Sequence, residues 1–354
     1  MLVLTAVIAA SASIAVALVT AFFNARQTKI SRRDAALARA EAASTALKLA
    51  EYQASRTDES KARDARSDYE YEARKRLYAE VQPLVFQLTE AAEAALNRIK
   101  NLAIHSRRDD LRERTESREE STWLRDMDGY YATMLMYHTT LPMALFRLIQ
   151  EKLTIVDLSV EPKLRTYYAV AKVLYGSWRD DHRLAAHHGA QLDYDPTSDD
   201  FMTARVTQPQ AYWKQGIATG HLAIATAALI VREKDAVPRV VTYDEFAAAY
   251  ANRDGALHQA FAPVAEMYRE FRQPSRPVLW RVLVTQASLY RWLRDFATAG
   301  EEVPRVRLYS REEQLRQFDW RGPADKDVPE EAVTAPFDAA AHYLREFLGS
   351  SLVS

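Results

Sequence analysis

The chain is predicted to be all-α on three observations. Apolar residues recur at three- and four-residue spacing in stripes of three to five turns over most of the sequence. Only 9 of its 354 residues are Gly, too few for an architecture of many tight turns. Two capping boxes, Thr242 with Glu245 and Ser310 with Glu313, mark helix starts directly.

Leu2 to Phe23 is a run of 22 uncharged residues, about what a helix needs to cross the hydrocarbon core of a bilayer. A cleaved secretory signal would carry a basic leading segment and a shorter apolar run. Nothing basic precedes Leu2, so residues 1–23 are predicted to be a retained single-pass transmembrane anchor. Arg26, Lys29, Arg32 and Arg33 follow the run with no acid before Asp34. Basic residues beside a span favour the cytoplasmic side, which predicts a cell-membrane protein with its C-terminal part in the cytoplasm.

Within the run, Thr5, Ala9, Ser13, Ala17 and Ala21 repeat every four residues, a spacing that lets two membrane helices approach closely. Residues 24–76 follow as a charged, Ala-rich helical stalk without Gly or Pro. Taken as one helix it would span roughly 80 Å. Ala36, Ala40, Ala43, Leu47, Ala50 and Ala54 form a heptad-like coiled-coil seam of small residues. Ladder and seam together predict a weak homodimer. Beyond Ala54 charges of both signs dominate, as on a solvated helix.

Residues 77–354 are expected to form a multi-helix globular domain. Val81, Leu84, Leu88, Ala92, Leu96 and Ile99 share one face, with Pro83 at an early kink or in a first turn. Trp123, Met127, Tyr130, Met134, Tyr137 and Leu141 make the next stripe. A separate helix is predicted from Pro142 to about Val156, with Thr140 as its cap. Another starts near Pro162 and carries Leu164, Tyr167, Ala171, Leu174 and Trp178. Helix resumes over Tyr212 to Val231, again after Thr242, and along Leu257 to Phe271 with Pro263 as a kink. Val278 to Val284 is apolar almost all round and suits a buried strand, but Leu289, Leu293 and Phe296 continue a helical period and predict one central helix. Thr334 and Pro336 are expected to open the last helix, which carries Phe337, Ala341, Leu344 and Leu348. Long loops are expected near 185–210 and 301–335.

Composition narrows the chemistry. The absence of Cys excludes thiol catalysis, thiolate metal sites and disulfides. Between Asn24 and Arg76 there are 13 basic and 9 acidic residues, a balance of +4 that leaves −5 elsewhere. A mildly acidic domain makes a poor nucleic-acid binder. Arg far outnumbers Lys and Ala is abundant, a bias typical of a GC-rich bacterium. Neither a GxxxxGK[ST] loop, a GxGxxG nor a GxSxG elbow is present, and no cofactor is expected.

One cluster has metal-binding residue types: Asp181, His182, His187 and His188, beside Asp180 and followed by Asp193, Asp195, Asp199 and Asp200. Its spacing is not that of two ligands on one helix face, and a solvated helix end followed by an acidic loop accounts for the same residues. His138 and His221 lie in apolar helices, where packed histidines are commoner than ligands. The sequence therefore favours a membrane-anchored protein whose helical domain engages an unknown protein partner. An all-α metal-dependent hydrolase working near residues 180–200 is the alternative.

Overall fold

The computed structural model describes residues 2–108, 124, 126–153, 158–185, 215–234, 236–269, 271–273, 276–296 and 303–354. The side chains of 2–12, 159, 185 and 324 are not described. The described residues are overwhelmingly helical, and the chain is all-α. It divides into two compact units, residues 1–72 and 73–354.

The first unit belongs to a single helix, α1 (Leu2–Glu80), which runs unbroken past the unit's end. Every side chain described from Ser13 to Glu72 is exposed except Glu70, which is partly covered by its ion pair with Arg66 at 3.1 Å. Absence of Gly and Pro and abundance of Ala explain the helix. Its hydroxyl residues turn back on their own turn: Thr20, Thr28, Thr45 and Thr57 each donate to the carbonyl four residues earlier at 2.7–2.8 Å. Among the residues whose side chains are described, no helix is long and apolar enough to cross a membrane. The first half of the run Leu2–Phe23 lies outside that statement.

The second unit is built round α9 (Pro277–Phe296), which contacts α2 (Gln82–Arg107), α4 (Pro162–Ser177), α5 (Asp181–Ala185) and α11 (Glu330–Leu348). Of its 20 residues, 16 are buried, so the stretch that also suited a buried strand is a core helix. The apolar face of α2 packs on α9 and on α3 (Tyr130–Leu153), and Pro83 sits in its first turn where no N–H is missed. The stripe Leu164, Tyr167, Ala171, Leu174 and Trp178 is buried as the periodicity predicts.

Buried tyrosines tie the helices with polar bonds. Tyr167 donates to the Val85 carbonyl at 3.2 Å, Tyr137 to that of Val241 at 2.8 Å, and Tyr268 to Thr139 Oγ1 at 3.1 Å. The remaining helices are α6 (Thr219–Ala228), α7 (Tyr243–Ala251), α8 (Ala256–Tyr268) and α10 (Arg311–Phe318). Both capping boxes are formed: Glu245 N–H donates to Thr242 Oγ1 at 3.3 Å and Glu313 N–H to Ser310 Oγ at 3.2 Å, each glutamate returning to the cap amide.

Several boundaries differ from expectation. No new helix begins at Pro142, because α3 runs straight through it. The bond lost from the missing N–H is offset by burial on both sides of the proline, with Leu135 and Met136 before it and Phe146 and Ile149 after it. The last helix starts at Glu330, so Pro336 is likewise internal, flanked by buried Val333 and Phe337. Of the helix expected over Tyr212 to Val231, the described part from 215 onward contains only α6, and Ile230–Val231 instead pairs antiparallel with Arg239–Val240, a hairpin short enough to escape a periodicity reading. Trp123 and most of the 185–210 stretch lie outside the described residues.

Candidate functional site

The metal-type cluster begins where α4 ends. Trp178, fully buried, offers its carbonyl to the Ile217 amide at 2.8 Å and so joins the end of α4 to the segment leading into α6. Asp181, first residue of α5, accepts the His182 amide at 3.0 Å, and the Gly216 amide also bonds its carboxylate. Gly216 is wedged in this corner: a Cβ there would meet the Trp178 carbonyl oxygen at 2.6 Å and Asp181 Cβ at 2.8 Å. No side chain larger than hydrogen fits.

Burial pushes the Asp181 carboxyl up to about 6, an increase that the amides of His182, Gly216 and Asp181 itself only partly oppose. Its neighbour Asp180 accepts the Tyr343 hydroxyl at 2.9 Å, and burial together with that carboxylate raises the phenol. Burial lowers His182. Towards solvent, Arg183 pairs with Glu346 at 2.6 Å and lies over the Phe347 ring at 4.5 Å. Towards the core, the almost fully buried Arg281 donates to the Leu184 carbonyl at 2.9 Å, and Gln286 donates to Ser177 Oγ at 3.0 Å. The corner thus contains a buried carboxyl raised well above the usual carboxylate range and held by backbone amides.

Of the four predicted ligands only Asp181 and His182 are described. Asp181 and His182 share α5, His187 and His188 lie outside the described residues with Asp193, Asp195, Asp199 and Asp200, and among the described residues no three His, Asp or Glu side chains could hold a metal ion. His138 stacks on Tyr243 with ring centroids 6.2 Å apart, and burial with Arg98 nearby brings it down to about 4, neutral at physiological pH. His221 is exposed at the start of α6.

The self-association residues lie on α1. Ser13, Ala17, Ala21, Ala36, Ala40, Ala43, Leu47, Ala50 and Ala54 are all exposed, whereas the side chains of Thr5 and Ala9 are outside the described set. Arg26, Lys29, Arg32 and Arg33 are exposed as well. The sequence reading missed Gly216, Tyr343 and Arg281. Only Gly216 left any trace, as an isolated glycine before a helix; the others are brought in from distant positions. Comparisons with family models, curated proteins and solved structures found no match.

Proposed function

We propose that the chain is a single-pass, membrane-anchored bacterial protein whose helical domain, on the cytoplasmic side, serves as a protein-interaction or regulatory module. The observation that carries this reading is the run of 22 uncharged residues at the head of a 79-residue helix. Ile14, Val16, Leu18, Val19, Phe22 and Phe23 within it are each 55–66% exposed among the described residues. Transfer of such side chains from water to hydrocarbon is worth roughly 1.5–3 kcal/mol each, which makes lipid the solvent that suits them. The four exposed basic residues that follow the run support the orientation.

The interaction role rests on the contrast between a closed helical core and an uncovered shaft. Ser13–Glu72 offers some sixty residues of accessible surface, as a helix does that bridges between bodies or pairs with another chain. The hydrolase alternative retains one supporting observation, the carboxyl of Asp181 raised to about 6.

Full-length protein should stay with membranes after an alkaline carbonate wash, and a fluorescent reporter that matures only in the cytoplasm should light up when fused after Ser354. Release by the wash would overturn the anchor, and a dark but expressed fusion would overturn the orientation. Stoichiometric metal in purified protein, lost together with Asp181→Asn and His187→Ala, would favour the hydrolase.

A further inference from the structure

A cavity of about 340 Å³ lies among α9, α10 and α11, with Ser288, Tyr309, Gln314, Asp338, Ala341 and Arg345 in its lining. Space exists here because α11 presents Ala340 and Ala341 where larger residues would fill the gap. Ser288 forms part of the floor. It is 2% exposed and lines the cavity. One turn away on the same face of α9, outside the lining, Thr285 Oγ1 is buried and has no hydrogen-bond partner among the described residues, which is uncommon for a buried hydroxyl.

Two side chains of opposite charge line the cavity, together with Ser354. Asp338 and Arg345 stand seven residues apart on one face of α11, both exposed and neither in an ion pair among the described residues. Two helical turns separate their backbones by roughly 10 Å, too far for direct pairing along the face and a suitable span for a ligand charged at both ends. The flanking polar groups are already oriented. Gln314 Nε2 donates to the Tyr309 carbonyl at 3.0 Å, and the Tyr309 hydroxyl points to the Ala287 carbonyl at 3.4 Å.

We propose that this cavity binds a small linear zwitterion, its ammonium at Asp338, its carboxylate at Arg345 and its middle over Ser288. The class is that of an ω-amino acid or a dipeptide, whose charges are several ångströms apart. A volume of this size falls at the low end of small-ligand pockets. Asp338 supplies what a simple anion site lacks, and Arg345 supplies what a simple amine site lacks. The proposal stands independently of the membrane reading.

The test is isothermal titration calorimetry on detergent-solubilised full-length protein, with 6-aminohexanoate as the probe and hexylamine and hexanoate as single-charge controls. Saturable binding is expected for 6-aminohexanoate, weaker by about tenfold or more for either control, since one lost charge contact of about 1.4 kcal/mol is a factor of ten. Arg345→Ala and Asp338→Ala should each weaken the zwitterion to the level of the controls, with unchanged circular dichroism melts because both residues are exposed. Absence of saturable heat up to about 10 mM, or wild-type affinity in both variants, would overturn the site.

Discussion

Two long helices of this protein show opposite relations to water. From Ser13 to Glu72 every described side chain of α1 but one is exposed, whereas 16 of the 20 residues of α9 are buried. The first is held by local terms: Ala-rich propensity and an i,i+4 ion pair. The second contains Val282, Val284 and Thr285, whose β-branched side chains favour strands, and it is a helix because helices on several sides bury it. Propensity thus governs where packing is absent, and packing governs where it is present.

The sharpest way to break this contrast is truncation on each helix. Leu283→Ala in α9 should lower the unfolding free energy by about 2–5 kcal/mol, and Leu47→Ala in α1 should leave it within about 0.5 kcal/mol. Urea denaturation followed by tryptophan fluorescence reads both, since the Trp residues described all lie in the second unit. Comparable losses would mean that α1 is not the independent shaft described.

The next effect separates buried from exposed carboxylates. Asp181 is raised from 3.8 to about 6, so the folded protein binds its proton more tightly than the unfolded chain does. Its contribution is therefore favourable in acid and fades as pH rises from about 4 to 6. Asp181→Asn removes the ionisation while keeping an acceptor oxygen for the amides. It should raise stability at pH 7.5 by up to about 3 kcal/mol, with the gain gone by pH 4. Asp68→Asn on the shaft should show no such gain at either pH. A pH-independent effect of Asp181→Asn would remove the buried-charge account.

A smaller effect concerns helix starts. The nine-residue α7 depends on its capping box, so Thr242→Ala should cost about 1 kcal/mol in the same denaturation assay. The smallest is association of the shaft. Ala seams bury little area, so pairing at Ala40 and Ala43 should be weak and visible only in membranes, where confinement raises effective concentration. Cys placed at Ala40 or Ala43 should crosslink more than Cys at Arg39. Equal yields at all three would reject the seam.

What could be read from the sequence follows the same division. Both capping boxes and the stripes from Val81 to Ile99 and from Leu164 to Trp178 were legible because local chemistry and spacing decide them. Pro142 and Pro336 misled, because a proline's local cost is visible in sequence while the burial that offsets it comes from distant segments. The corner at Asp181 was found by residue type, but its partners were not. Tyr343 lies 163 residues from Asp180, and no spacing rule relates them. The cavity at Ser288 was hidden for a related reason, since it is defined by the missing bulk of Ala340 and Ala341 on another helix.

The uncovered state of α1 also bears on the lifetime of the protein. A protease needs several residues in extended form, and a helix with no tertiary partner opens locally at little cost, whereas a packed one must open together with its core. Ser13–Glu72 carries 10 basic residues, all exposed, each a point of attack for an enzyme that cuts after Lys or Arg. One nick there would separate the apolar head from the body without unfolding the body. Were the apolar run the proposed anchor, cleavage of the shaft would act as an irreversible release step, and a partner that sheathes the helix would set how long the body stays attached.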